Sequence, residues 1–261
     1  MSVMPTNIVK RPSRSDRQAH LLHIYHRLLK HFGPRHWWPA NHAWEMMVGA
    51  ILTQNTAWTN VDKALRCLKA AKALTVSRIA SLPRRTLERL IRSSGFFRQK
   101  AKRLQTFARY LRDNPEFYRQ LRGASPPSPL PLGEGESPRR LGEASFLRLR
   151  EKLLAMNGIG PETADSMLLY AGAYPVFVVD AYTRRIGQRL GLFQFNDYAR
   201  VQSYFERALP QNAALYNEYH ALLVHLAKDY CKKRDPRCGA CPVSRECAFG
   251  QKRMNSHARK N

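Results

Sequence analysis

Apolar residues recur three and four positions apart along most of this chain, and no stretch alternates apolar and polar residues as a half-buried strand must. Leu21, Leu22, Tyr25, Leu28 and Leu29 make one such stripe between Arg17 and Phe32, closed by Gly33-Pro34. The pattern returns over 44–52, 60–71, 84–93, 100–113, 145–156, 162–173, 181–190, 197–209 and 213–230. The expected fold is therefore all-α. Ser81-Leu82-Pro83 reads as a helix start, with Ser81 as the cap and Pro83 tolerated in the first turn. Residues 123–143 interrupt the helices. They hold 5 of the 16 prolines and 4 of the 14 glycines, so they are expected to be an inserted, solvent-exposed loop.

Charge narrows the partner. Lys and Arg number 44 against 19 Asp and Glu, a formal charge of +25, while 44% of residues are hydrophobic. That is too apolar for a disordered basic tail, so a folded protein carries the excess. Nucleic acid leads as the partner, because neutralising phosphates releases condensed counterions. An anionic membrane surface comes second. No uncharged apolar run approaches the ~20 residues of a spanning helix. The first residues lack the apolar stretch of a secretory signal, which points to the cytoplasm.

Four of the five cysteines, Cys231, Cys238, Cys241 and Cys247, crowd into 17 residues. In a reducing compartment this reads as a metal site rather than a disulfide set. Four thiolates suit tetrahedral zinc or a [4Fe–4S] cluster. Zinc ribbons usually carry two CxxC pairs, and here only Cys238 and Cys241 are so spaced. Lys232, Lys233, Arg234 and Arg237 fall between the first two cysteines, well placed for phosphates. Cys67 is expected to be a buried helix residue. His20, His23 and His26, and likewise His220 and His225, read as surface or packing residues rather than ligands.

The segment LLAMNGIGPETADSMLLYAG, residues 153–172, places two glycines between two amphipathic helices. Gly158 and Gly160 allow a sharp turn and a close approach, and Ile159 anchors the turn in the core. The second helix, entered through Pro161, Glu162 and Thr163, offers unpaired N–H groups and a positive dipole end that suit a phosphate. An ordinary helical corner with a glycine cap would show part of this pattern. Further on, VFVVD leads into the helix AYTRRIGQRLGL, with Asp180 where an N-cap belongs. Asp180 is either that cap or a carboxylate facing a bound nucleotide.

These motifs together resemble the helix–hairpin–helix DNA glycosylases, in the endonuclease III branch. The resembling residues are LxxxNGIGPETAD, VVDAYTRRI, GAILTQNTAWTNVDKAL and the cysteine loop with spacings of six, two and five; they span about residues 20–247. The resemblance implies two helical domains with a DNA cleft between them. One is a six-helix barrel domain over 42–174, with its hairpin at 150–172. The other is built from 18–41 and 175–247 and carries a [4Fe–4S] loop. Residues 1–17 and 248–261 are then a basic arm and a basic tail. Asp180 aligns with the catalytic aspartate, which stabilises the cationic sugar as the base departs. Bifunctional members carry a lysine two residues after the second hairpin glycine, where it forms a Schiff base with the sugar. Here that position is Glu162, which implies a monofunctional glycosylase using water. Lys152 or Lys228 could replace the lysine only by reaching the sugar.

Trp37-Trp38-Pro39 and Trp58 are similar to residues lining the base pocket of the 3-methyladenine DNA glycosylase III subgroup. Aromatic faces bind a cationic, alkylated base better than a neutral one. Lys228 lies where a lysine edges that pocket. Gln54 aligns with the residue that fills the gap left by a flipped base, and Phe96 with the intercalating wedge. The resemblance thus implies a monomer acting on double-stranded DNA with a damaged, alkylated purine, in the cytoplasm at the nucleoid. An enzyme for oxidised pyrimidines or mispaired bases, and a non-catalytic DNA-binding relative, are the competing readings.

Overall fold

The computed structural model describes residues 13–35, 37, 42–123 and 142–258. Most of the expected arm, most of the inserted loop, and Trp38 and Pro39 lie outside these residues. The described residues form thirteen α-helices and no strand. No helix among them is long and apolar enough to cross a membrane.

The chain divides into two compact units. The hairpin unit comprises residues 35–180 and 212–221. It holds α2 (Ala43–Leu52), α3 (Trp58–Ala70), α4 (Val76–Ser81), α5 (Arg84–Leu90), α6 (Phe97–Asp113), α7 (Pro115–Leu121), α8 (Glu143–Leu154) and α9 (Pro161–Ser166). A wider helical turn, Met167–Ala171, continues α9. In α6 the stripe Ala101, Leu104, Phe107, Ala108 and Leu111 is buried, and α4 and α5 pack on this helix. Ile79 and Leu87 are fully buried where they do so. Trp44 stacks on Phe107 with ring centroids 5.9 Å apart.

The cysteine unit comprises the chain up to residue 34, 181–211, and 222 onward. It holds α1 (Arg14–Phe32), α10 (Ala181–Leu190), α11 (Tyr198–Ala208), the last turns of α12 (Ala213–Asp229) and α13 (Ala248–Ala258). Ser13 and Asp16 close a reciprocal capping box at the start of α1. Leu21, Ile24, Tyr25 and Leu28 then bury one face of that helix. α1 packs on α11, and α10 on α13.

Several expectations are corrected. Ser81 does not start a helix: it ends α4, where its hydroxyl donates to the Ser77 carbonyl, and Thr75 caps that helix instead. α7 arises from Asn114-Pro115, with Pro115 in the first turn. The tail from residue 248 is largely helical as α13. Cys67 is exposed, because position 67 falls beside rather than within the buried stripe Val61, Ala64, Leu65 and Leu68. Residues 175–180 and 212–221 belong to the hairpin unit. The extended run Val176–Val179 is buried there, and Phe177 meets Tyr216 and Tyr219 edge-on at 5.4 and 6.1 Å.

Candidate active site

In the hairpin unit, α8 and α9 are tied by a bidentate ion pair. Arg150 donates to the two oxygens of fully buried Asp165 at 2.7 and 3.0 Å. Between them the backbone turns through Gly158, whose φ of +85° suits glycine. Ile159 is buried at 5% exposure, while Gly160 and Glu162 face solvent. Glu162 stands in the first turn of α9. The side chain of Thr163 is turned inward, and its hydroxyl accepts from Gln54 Nε2 at 3.0 Å.

Gln54 binds the hairpin from the turn after α2. Its amide nitrogen also donates to the Gly158 carbonyl at 2.9 Å, and its oxygen accepts from Arg103 at 2.6 Å. One helical turn before Arg103, Lys100 is only 1% exposed. Its ammonium donates to the Leu52 carbonyl (2.8 Å), the Thr56 hydroxyl (3.2 Å) and the Ser94 carbonyl (2.6 Å). Burial, then the Arg103 charge, pushes the Lys100 pKa down to about 8, while the three acceptors favour its charged form. So one face of α6 joins the Gln54 turn, the loop before Phe96 and the hairpin. Phe96 projects from that loop, 69% exposed and in the left-handed region at φ +43°, unusual for a bulky side chain. A large exposed apolar side chain on a braced loop suits a wedge. Sequence reasoning missed Lys100 and Arg103. A lysine interrupting the apolar stripe of α6 is the signal that was available.

The buried run Val176–Val179 delivers Asp180 beside the first half of α12. Tyr216, Tyr219 and His220 lie on one face of that helix, at spacings of three and four. His220 Nε2 stands 3.6 Å from Asp180 Oδ2, and both side chains are largely buried. His220 Nδ1 is hydrogen-bonded to the Tyr170 hydroxyl. Glu218, also buried, accepts from the Arg35 amide at 2.6 Å. Burial, then the charges of Asp180 and Glu218, drives the Tyr170 pKa well above its ordinary value, so the phenol keeps its proton. Also in this unit, Trp37 and Trp58 are tilted neighbours, with ring centroids 6.0 Å apart. Lys152 is exposed, its Nζ 5.9 Å from the Phe117 ring.

In the cysteine unit, Cys231, Cys238, Cys241 and Cys247 line one cavity with Arg189, Tyr230 and Phe249. Arg189 Nη1 donates to Cys231 Sγ at 3.3 Å and to the Lys232 carbonyl at 2.7 Å. Nη2 reaches the Lys233 carbonyl at 3.2 Å. The guanidinium also lies 4.7 Å from the Phe249 ring centroid. Burial pushes the Cys241 thiol up to about 11, and raises Cys247 as well. Among the described residues, no three His, Cys, Asp or Glu side chains form a single-ion site. Lys232, Lys233 and Arg234 are exposed, and Arg237 lies over the Tyr230 ring at 5.7 Å. Lys228 is exposed near the end of α12. α1 braces the loop: Arg27 donates twice to the Pro242 carbonyl, and His31 is hydrogen-bonded to the Tyr230 hydroxyl.

Comparison with known proteins fits this arrangement. Residues 48–211 match the HhH-GPD superfamily of base excision DNA repair proteins. A Methanocaldococcus jannaschii protein named as a DNA repair glycosylase is 39% identical over 225 residues, 86% of this chain and 94% of its own. Endonuclease III of Synechocystis is 28% identical, over 79% of this chain and 81% of its own. Among solved structures, an endonuclease III–DNA complex superposes with a TM-score of 0.70 at 23% identity, covering 91% of this chain and 98% of that one. The H. pylori 3-methyladenine DNA glycosylase bound to 1,N6-ethenoadenine has a TM-score of 0.61 at 28% identity, covering 83% and 98%. The chain belongs to the HhH-GPD superfamily of base excision DNA repair proteins.

Proposed function

We propose that this protein is a monofunctional DNA glycosylase that hydrolyses the N-glycosidic bond of an alkylated purine flipped out of duplex DNA. The observation that carries the first half is Glu162. It is exposed in the first turn of α9, two residues beyond Gly160, where a carboxylate cannot form a Schiff base. Asp180 supplies the negative charge that a cationic, oxocarbenium-like sugar requires, and orients the attacking water. The tilted pair Trp37 and Trp58 offers π-faces to a base made cationic by alkylation. The H. pylori relative, solved with an ethenoadenine, supports the same choice. Phe96 and Gln54 act at the gap left in the duplex. Gly158, Gly160, Lys232, Lys233, Arg234 and Arg237 bind phosphates, and the enzyme works as a monomer at the nucleoid.

The cysteine cavity fits a [4Fe–4S] cluster held by Cys231, Cys238, Cys241 and Cys247. Four thiols line one recess, and burial makes at least two of them hard to ionise unless a cation takes the charge. Bound there, the cluster supplies structural cross-linking. Arg189 and α13 already frame that recess from the protein side.

The test is a panel of duplexes carrying 3-methyladenine, 7-methylguanine, thymine glycol, uracil or mismatched adenine. Release of the methylated purines, with strand breaks only after alkali, is the expected outcome. Thymine glycol release with direct nicking would establish the endonuclease III-like reading, which the endonuclease III relatives favour.

A further inference from the structure

We propose that Tyr170 and His220 form a positioning relay behind Asp180, with Tyr170 fixing the His220 tautomer so that Nε2–H faces the Asp180 carboxylate. The inference rests on Asp180 being the catalytic carboxylate. His220 is 5% exposed and lies between two groups of the hairpin unit. Its Nδ1 is hydrogen-bonded to the Tyr170 hydroxyl, and its Nε2 has no hydrogen-bond partner within reach, with Asp180 Oδ2 the acidic oxygen nearest at 3.6 Å. A neutral imidazole has one donor and one acceptor nitrogen, so the partner of one fixes the other. Tyr170 is fully buried near both Asp180 and Glu218, which hold its proton in place. With the Tyr170 hydroxyl as the donor to Nδ1, the imidazole hydrogen sits on Nε2, and this is the direction the relay requires.

The consequence is geometric. An N–H turned toward one carboxylate oxygen restrains the rotation of Asp180 and favours its ionised form. Catalytic hydrogen bonds are often long in free enzymes and tighten once substrate is bound, which suits 3.6 Å. The placement follows from the fold. Phe177 on Tyr216 and Tyr219 fixes the segment before Asp180 against α12, and His220 is the next residue on that helix.

The direct test is 15N NMR of the imidazole in the full-length protein. The expected signature for His220 is a protonated Nε2 and an unprotonated Nδ1 near neutral pH, with the preference lost in Tyr170→Phe. A protonated Nδ1, or a tautomer mixture unchanged in Tyr170→Phe, overturns the relay. The kinetic test compares His220→Leu, His220→Gln and Asp180→Asn in single-turnover release of whichever panel base wild type releases. His220→Leu should slow release by about ten- to a hundredfold, the usual cost of losing an orienting partner. Affinity for the duplex should stay unchanged. His220→Gln, which keeps an N–H near the Nε2 position, should recover most of the rate. Equal rates for wild type and His220→Leu, with Asp180→Asn inactive, would overturn the relay alone. Full activity in Asp180→Asn would overturn the reading of Asp180 and the relay with it.

Discussion

A methyl group added at Gly158 would stand 2.1 Å from Nε of Arg103, so the hairpin turn and the α6 guanidinium are packed with no room for a side chain. The same glycine gives its carbonyl to Gln54, and Gln54 gives its oxygen to Arg103. The turn expected to hold phosphate and the residue expected to fill the duplex gap therefore share one bonded cluster.

Gly158→Ala is expected to damage both at once. The φ of +85° costs an L-residue about 1–2 kcal/mol, and Arg103 must also leave Gln54. Melting temperature should fall, and affinity for undamaged duplex should fall with it. Unchanged DNA affinity in a destabilised Gly158→Ala protein would separate the turn from phosphate binding.

Lys100→Met should be strongly destabilising. It leaves the buried Leu52 carbonyl without its donor, at about 1–3 kcal/mol, and takes one of two donors from the Ser94 carbonyl, which keeps the Thr56 hydroxyl. The pH dependence has a definite sign. With a folded pKa of about 8 against 10.5, the unfolded chain binds the extra proton between those values. This group's contribution to stability therefore rises as pH climbs from about 8 to 10.5. Urea unfolding of wild type minus Lys100→Met should show that rise, and a flat difference across the window would contradict it.

Trp58→Ala should cost about 1–3 kcal/mol of base stacking, roughly a tenfold to hundredfold loss in release of a methylated purine. Binding to undamaged duplex should change little. An equal loss on both DNAs would make Trp58 a packing residue beside Trp37.

Glu162→Lys should bring a primary amine to the hairpin position from which related enzymes attack the sugar. Borohydride is expected to trap a covalent complex of Glu162→Lys with the damaged duplex, and none with wild type. Trapping of wild type would contradict the monofunctional reading.

Cys241→Ser should remove visible charge-transfer absorbance and iron from anaerobically purified protein. It should also lower the stability of the cysteine unit. Stoichiometric zinc in colourless wild type would contradict the cluster.

Much of the fold was legible because burial follows helical spacing. Leu21, Ile24, Tyr25 and Leu28 line one face of α1, and Leu104, Phe107, Ala108 and Leu111 one face of α6. What escaped the sequence has physical reasons. α4 and α7 are only six and seven residues long, too short to show a period, and they are held by Thr75 and Pro115 at their starts. Cys67 is an apolar-seeming residue at an exposed helical position, so residue type misled where register decided. The hairpin and Asp180 were visible as local motifs. Lys100, Arg103, Tyr170 and His220 were not, because each acts on a partner 40 or more residues away that only the fold brings near. The positive charge led to DNA, while the proposed chemistry rests on Asp180, a carboxylate beside a buried histidine.

The most direct measurement is base release by wild type and Asp180→Asn from duplexes carrying 3-methyladenine or 7-methylguanine, scored with and without alkali. The expected result is that wild type leaves alkali-labile abasic sites with no direct nicking, and that Asp180→Asn binds the same duplex but releases no base. Undiminished release by Asp180→Asn would contradict it.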